Sequence, residues 1–314
     1  MISTGRVREA RQRIEGHIVH TPVTFDQNLN CYIKWENHQI TGSFKLRGAL
    51  NHILSIKENE IHKGFVTCSA GNHGQGVAYA AGPKGGRCIV FASEQAAEVK
   101  LAAMQKLGAE LRLVKGAYVE AEQAAITFAK ENGSIFISPY NGETVICGQG
   151  TLAMELGEDL DGFTSVQAVI VPVGGGGLLS GIGTYMGSLG VRPALVGVQS
   201  EASSFAYQLN KTGSQEGVVE TDSIAEGLAG EIDHNSITIP LIQQYAEDIV
   251  LVSEDETRVA IRYAWEKHHE IIEGSAAVGL AACLTGKITT LPAVIVVTGG
   301  NIQPELHSRI LLDH

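Results

Sequence analysis

Short apolar, β-branched runs alternate along the chain with stretches whose apolar positions recur at helical spacing. The runs predicted to be strands are CYIKWE, GFVTCS, RCIVF, AELRLV, SIFISP, AVIVPV, ALVGVQS and AVIVVTGG. Strands that alternate with helices usually form parallel sheets covered by helices on both faces, so we predict an α/β fold. The segment SPYNGE, residues 138–143, is the best candidate for the loop in which the chain passes from one lobe to the other.

Length and composition predict a globular protein of two domains. A chain of 314 residues is long for one core, and 44% hydrophobic with 18% charged residues is ordinary for a globular protein. No apolar run approaches the roughly 20 residues that span a bilayer, and the polar N-terminus lacks a signal-peptide core. We therefore expect a cytoplasmic protein.

Charge and cysteine content exclude several classes of binding partner. A net charge of −11 without a Lys/Arg cluster argues against nucleic acid and anionic membranes, which leaves a small molecule as the expected ligand. The cysteines lack the short spacings of a zinc site, and we interpret them as buried free thiols. They are Cys31, Cys68, Cys88, Cys147 and Cys283.

Glycine clusters follow several of the predicted strands. Gly174–Gly177 stand between VIVPV and an apolar helix, where free backbone N–H groups at a helix N-terminus suit a phosphate. A dinucleotide-binding oxidoreductase is the rival interpretation. The G-x-G-x-x-G register fails here, because Leu179 or Ser180 stands where its last glycine is needed, although Glu201 could still act as the ribose-binding acid.

Two further strand ends carry polar groups. In CSAGNHGQG, Ser69, Asn72 and His73 bring side-chain donors to a turn with free N–H groups, which predicts a seat for a carboxylate. In VIVVTGGN, Thr298 ends a strand with a hydroxyl, which could also cap the next helix.

The stretch TGSFKLRGAL places Lys45 at the positive end of a helix, two residues after Ser43, which we interpret as its N-cap. Leu46, Leu50 and Ile53 form the stripe that should face the core. The helix dipole alone does not neutralise the amine, whereas covalent capture by a carbonyl would. Four features together indicate pyridoxal phosphate held as a Schiff base: Lys45, the phosphate-binding loop Gly174–Gly177, the carboxylate-binding turn at Ser69–His73 and the hydroxyl of Thr298.

A family resemblance rests on motifs in fixed order over nearly the whole chain: KWENHQITGSFKLRGALN, SAGNHGQGVAYAA, GQGT, VPVGGGGLLSG and VTGGN. In these the chain resembles the serine/threonine dehydratase group of fold-type II pyridoxal-phosphate enzymes, which includes serine racemase. The resemblance implies the tryptophan synthase β-like two-domain fold. We expect a large cofactor-binding domain from residues 1–63 and 142–314, and a small inserted domain from residues 64–141.

The resemblance also implies roles for residues that match the family's motifs, with Lys45 as the catalytic Schiff-base lysine. The implied cofactor-binding residues are Phe44, Lys45, Asn72, Gly174, Gly175, Gly176, Gly177, Leu178 and Thr298. The implied substrate-binding residues are Ser69, Ala70, Gly71, Asn72 and His73. No role is assigned to Glu226 or Glu273. We expect no metal site, because Gln199 and Phe205 stand where some relatives have acidic metal ligands.

The expected reaction is β-elimination from L-threonine or L-serine, with Lys45 removing the α-proton, to give a 2-oxo acid and ammonia. Hydroxyaspartate or phenylserine is an alternative substrate. Serine racemase is an alternative activity, weakened because Ala70 replaces the second serine that protonates Cα in racemases. An oxidoreductase and a catalytically silent homologue are the other classes. We expect a homodimer and, since only 13 residues follow Asn301, no C-terminal regulatory domain.

Overall fold

The computed structural model describes residues 2–190 and 192–312, which form two β-sheets surrounded by helices. The strands are β1 (Val23–Asp26), β2 (Cys31–Trp35), β3 (Phe65–Cys68), β4 (Cys88–Ser93), β5 (Glu110–Val114), β6 (Ile135–Phe136), β7 (Ala168–Pro172), β8 (Ala194–Ser200), β9 (Asp248–Val252) and β10 (Ala293–Val297). The α-helices are α1 (Thr4–Ile14), α2 (Lys45–Ser55), α3 (Asn72–Lys84), α4 (Glu98–Lys106), α5 (Tyr118–Asn132), α6 (Glu143–Asp159), α7 (Gly177–Met186), α8 (Phe205–Thr212), α9 (Thr238–Tyr245), α10 (Glu254–His268), α11 (Gly274–Leu284) and α12 (Pro304–Leu312).

The larger sheet has the strand order β1-β2-β10-β7-β8-β9, and the smaller has the order β5-β4-β3-β6. Every pairing is parallel except that of β1 with β2, an antiparallel hairpin at the edge of the larger sheet. The predicted α/β fold with parallel sheets flanked by helices is therefore confirmed. All strands of the smaller sheet fall within residues 64–141, the predicted inserted domain, whose boundaries stay a prediction.

The central strands of the larger sheet, β7 and β10, are buried on both faces. Along β7, Ala168 and Ile170 pack into one hydrophobic cluster, whereas Val169 and Val171 pack into another. Successive side chains of a strand point to opposite faces, so a continuous apolar run is what a doubly covered parallel strand requires. This explains why β7 and β10 could be predicted from nearly unbroken runs of Val, Ile and Ala.

The structure has two strands, β1 and β9, that the sequence analysis did not predict. The β1–β2 turn is held by Asp26, whose Oδ1 accepts hydrogen bonds from the N–H groups of Asn28 at 2.8 Å and Leu29 at 3.1 Å. Asn30 in the same turn adopts a positive φ of 51°, which asparagine tolerates better than most residues. The run SIFISP also contributes less than predicted, since only Ile135 and Phe136 are paired.

The helix that carries Lys45 begins differently from the prediction. Ser43 is not its N-cap: its backbone bridges to Gly299, and its hydroxyl is buried with no hydrogen-bond partner in the described part of the chain. Phe44 occupies the N-cap position, and its N–H donates to the carbonyl of Thr298 at 3.0 Å. The backbone before α2 is thus tied to the end of β10, which makes Lys45 the first residue of the helix.

A buried ionic cluster holds α2 against its neighbours. Arg47 is fully buried, and its guanidinium donates to both carboxylate oxygens of Glu36 and of Glu155 at 2.7 to 2.8 Å. Lys34 lies 3.0 Å from Glu155 and from Asp159. Leu46, Leu50 and Ile53 are fully buried as predicted, so apolar packing and this cluster together fix the helix that carries Lys45.

Candidate active site

A cavity of about 700 Å³ opens at the carboxyl ends of β3, β7 and β10. The first residues of five helices line it, namely Lys45, Asn72, Tyr118, Gly177 and Gly274. Each helix N-terminus carries unpaired N–H groups and a partial positive charge, so their convergence favours anionic ligands. Residues from both sheets line the cavity, because Ser69 follows a strand of the smaller sheet and Thr298 follows a strand of the larger sheet.

Lys45 extends into this cavity from the start of α2. Its Nζ donates to the carbonyl oxygen of Pro139 at 2.8 Å and lies 5.3 Å from the centre of the Phe44 ring. Burial, partly opposed by the negative charge of Glu273, lowers the pKa of Lys45 to about 8. The structure therefore places an amine whose pKa lies about one unit above neutral pH inside a cavity that helix N-termini line.

The glycine loop, which consists of Gly174–Gly177, lies between β7 and the start of α7. Gly176 is the N-cap of α7 with φ of +82°, a conformation that glycine adopts without strain. A Cβ added to Gly175 would lie 2.3 Å from the Tyr140 ring, and one added to Gly177 would lie 2.7 Å from the Tyr140 carbonyl oxygen. The first backbone bond of the helix runs from Ser180 N–H to the Gly176 carbonyl, which leaves the preceding N–H groups without intrahelical acceptors.

The turn before α3 presents backbone donors in the same way. Its first helical bond runs from Gln75 N–H to the Gly71 carbonyl at 3.2 Å, so the N–H groups of Asn72 and His73 have no intrahelical acceptor. The Ser69 hydroxyl oxygen accepts the Gly71 N–H at 3.0 Å, and its own hydrogen remains available. Ala70 lines the cavity between these residues.

The side chain of His73 differs from the expectation. Its Nε2 donates to the Ile137 carbonyl oxygen at 3.1 Å, and burial lowers its pKa to about 3. The ring is therefore neutral, and its N–H is already used. His73 contributes a backbone N–H to the turn, and its side chain does not act as the predicted donor.

Thr298 lies directly after β10 and lines the cavity. It does not cap the next helix, because α12 begins only at Pro304. Its backbone carbonyl accepts the N–H of Phe44, which links the hydroxyl-bearing strand end to the residue next to Lys45. The structure thus brings Lys45, Thr298, the glycine loop and the turn at Ser69–His73 around one cavity.

Glu273 is a cavity residue for which the sequence suggested no role. Its Oε1 accepts a hydrogen bond from Asn72 Nδ2 at 2.6 Å, and Asn72 Oδ1 accepts one from Asn301 Nδ2 at 2.6 Å. Burial raises the pKa of Glu273 to about 7, although the hydrogen bond from Asn72 acts in the other direction. Asn72 is 201 positions from Glu273 and 229 positions from Asn301, so no local signal could have revealed these contacts.

Two contacts cross the mouth of the cavity. Lys100 of α4 forms an ion pair with Glu226, the other acid for which the sequence suggested no role. The Tyr140 hydroxyl oxygen accepts the backbone N–H of Asp233 at 3.1 Å. Both contacts tie a segment next to the smaller sheet to the loop that follows α8.

The structure also bears on the other interpretations. Glu201, the acid that a dinucleotide site would use, is exposed and does not line the cavity. In residues 2–190 and 192–312 no three His, Cys, Asp or Glu side chains are grouped so that they could hold a metal ion. No helix in these residues is long and apolar enough to cross a membrane.

Comparisons with known proteins agree with this geometry. Residues 14–299 match the family described as "Pyridoxal-phosphate dependent enzyme". An L-threonine ammonia-lyase of Thermotoga maritima is 35% identical over 99% of this chain and 78% of its own length. A serine racemase of Dictyostelium discoideum is 35% identical over 97% of this chain and 96% of its own length.

The crystal structure of serine racemase from Dictyostelium discoideum matches with a TM-score of 0.87 and 34% identity, covering 96% of this chain and 99% of that chain. Family, cofactor and fold therefore agree with one another, and the oxidoreductase interpretation is not needed. The chain belongs to the pyridoxal-phosphate-dependent enzymes of fold type II, and its cofactor is pyridoxal 5′-phosphate.

Proposed function

We propose that this enzyme deaminates L-threonine, L-serine or both by β-elimination, releasing 2-oxobutyrate or pyruvate together with ammonia. The observation that carries the proposal is Lys45, an amine with a pKa of about 8 in a cavity where five helix N-termini converge. Such a cavity suits two anions at once, the phosphate of the cofactor and the carboxylate of an amino acid.

The residues of the cavity fit the cofactor. Gly174–Gly177 and Leu178 would hold its phosphate through the backbone N–H groups that precede the first hydrogen bond of α7. Lys45 would bind its carbonyl carbon beside the Phe44 ring. Asn72 would contact the phenolic oxygen and Thr298 the ring nitrogen. When bound, pyridoxal phosphate withdraws electron density from Cα of an attached amino acid and so acidifies the Cα–H bond.

Lys45 is the group that would take the proton from Cα. At pH 7 an amine with a pKa of about 8 is about 10% neutral, compared with about 0.03% for an ordinary lysine. Burial therefore raises the fraction that can act as a base by a factor of several hundred. The hydrogen bond from Nζ to the Pro139 carbonyl orients the amine within the cavity.

Two neighbouring side chains favour elimination over racemisation. Thr298 offers a neutral hydroxyl, which stabilises a positive charge on the ring nitrogen less than a carboxylate would, so negative charge at Cα is better relieved by loss of a β-hydroxyl. Ala70 lines the cavity beside Ser69 and has no exchangeable proton to return to Cα. A positioned acid is typically worth about 10² to 10⁴ in rate, so its loss should reduce racemisation strongly.

The main experiment measures 2-oxo acid and ammonia from L-threonine, L-serine, hydroxyaspartate and phenylserine. We expect turnover of L-threonine or L-serine in the enzyme and none in Lys45→Ala, which should also lose the visible absorbance of the bound cofactor. A folded protein that binds the cofactor yet releases 2-oxo acid from none of the four amino acids would disprove the proposed reaction. Higher activity with hydroxyaspartate or phenylserine would change the proposed substrate but not the proposed class of reaction.

Chiral chromatography separates elimination from racemisation. With L-serine we expect pyruvate and at most a trace of D-serine, because Ala70 carries no acid. D-serine formed as fast as pyruvate would show that another residue supplies the proton. The variant Ala70→Ser is the matched comparison, since it adds only a hydroxyl at this position and should raise the D-serine trace if that group reaches Cα.

A further inference from the structure

Gln149 lies in α6 and is one of the residues that line the cavity. Its side chain is 1% exposed. The Oε1 atom accepts a hydrogen bond from the backbone N–H of Gly48 at 3.2 Å, whereas Nε2 is buried and has no partner among the described residues. Two N–H donors of this amide are therefore unused.

The orientation of the amide follows from its partner. If the group were rotated by 180°, Nε2 would face the Gly48 N–H, and two donors would repel each other. Gly48 also provides the space, because a Cβ at this position would lie 2.4 Å from Nε2. The unused donors thus rest directly against α2, one helical turn after Lys45.

An unpaired buried donor is costly and usually has a partner when the site is complete. Among the described residues that line the cavity, buried side-chain atoms without a partner occur in His73 and Gln149. The free atom of His73 is Nδ1, which can only accept in the tautomer set by Ile137. Gln149 alone of these two offers N–H donors, and helix N-termini, which attract anions, line the same cavity.

We propose that Gln149 is a further ligand-binding residue of this cavity, whose amide N–H groups donate to an oxyanion of the bound reactants. That oxyanion is either the phosphate of the cofactor or the carboxylate of the amino acid, both of which have acceptor oxygens with negative charge. The proposal rests on the cavity as the active site and not on the particular amino acid that the enzyme consumes.

The test uses Gln149→Glu, which keeps an acceptor for Gly48 and loses the donors, and Gln149→Leu in case a buried carboxylate is not tolerated. Gln199 supplies a matched control. Its Oε1 also accepts a backbone N–H, from Tyr207 at 3.0 Å, and its Nε2 is also buried and unpaired, but it does not line the cavity. Gln199→Leu therefore removes an equivalent amide elsewhere.

Two dissociation constants are measured on folded protein, checked by circular dichroism. The first is that of pyridoxal phosphate for the apoenzyme, from visible absorbance. The second is that of glycine for the holoenzyme, from its spectral change, since glycine has no group to eliminate. Neither requires turnover, so failure of the proposed dehydratase reaction and failure of this inference are distinguishable.

The loss of a hydrogen bond to a charged acceptor should weaken the affected equilibrium by at least about tenfold. Weaker cofactor binding in the Gln149 variants supports a contact with the phosphate. Unchanged cofactor binding with weaker glycine binding supports a contact with the carboxylate. If both constants stay within twofold of the unmodified protein, or if Gln199→Leu changes them equally, the proposal is wrong.

Discussion

Replacing Arg47 with methionine tests how the helix that carries Lys45 is held in place. Arg47 donates to both oxygens of Glu36 and both oxygens of Glu155, and all three side chains are fully buried. Methionine fills similar space without charge, so the variant Arg47→Met removes the central cation and leaves two carboxylates in the core.

The two carboxylates are not affected equally. Glu155 keeps Lys34 at 3.0 Å and Arg11 at 2.7 Å. Among the residues that the structure describes, the side-chain partner left to Glu36 is the Thr21 hydroxyl at 2.6 Å. Removing one partner of a buried ion pair typically costs about 3 to 5 kcal/mol, because the other charge is left uncompensated. We expect Arg47→Met to lower the free energy of unfolding by that amount, mainly through Glu36.

Urea unfolding of the cofactor-saturated enzyme, followed by circular dichroism, measures this cost. Glu36→Gln and the double variant Arg47→Met/Glu36→Gln complete a cycle. Because the two changes remove the same interaction, the double variant should lose less than the sum of the single losses, by roughly 1 to 3 kcal/mol. A cost below about 1 kcal/mol for Arg47→Met, or strict additivity, would refute the assignment of this cluster as the anchor of α2.

The remaining predictions concern the site and the assembly. The rate at which the apoenzyme takes up pyridoxal phosphate, measured by stopped-flow absorbance, should rise with pH and level off above about 8, because the neutral form of Lys45 reacts. A rate that still rises steeply above pH 9 would contradict the lowered pKa of Lys45. Glu226→Gln should change the melting temperature little, because its exposed ion pair with Lys100 is weak, but should raise the substrate KM several-fold, because the pair crosses the cavity mouth. Glu58→Gln is the control: it breaks an exposed ion pair with Lys84 outside the cavity and should leave KM unchanged. Chelator treatment should leave most activity, and a large loss restored by magnesium would overturn the prediction of no metal site. Light scattering after size-exclusion chromatography should give the mass of a homodimer, and a monomer would disprove that expectation.

The sequence predicted those parts of the site that lie within a few residues of one another. The glycine loop and the turn at Ser69–His73 were recognisable because a strand, a glycine-rich turn and a helix follow directly along the chain. Leu46, Leu50 and Ile53 were predicted to be buried because helical periodicity is also local, and all three are. The start of α2 was misjudged at Ser43 because the residue that decides it, Gly299, is distant in sequence.

The sequence by itself determined the alternation of strands and helices, apart from β1 and β9, and the kinds of chemical groups at the strand ends. These features follow from periodicity, turn residues and motif spacing, which act between near neighbours. Only the tertiary structure decided how those groups behave. Burial beside Glu273 sets the pKa of Lys45, and the Ile137 carbonyl takes the His73 N–H that the sequence had assigned to the substrate. Desolvation and hydrogen bonding depend on which atoms surround a group in space, and residues distant along the chain supply most of them.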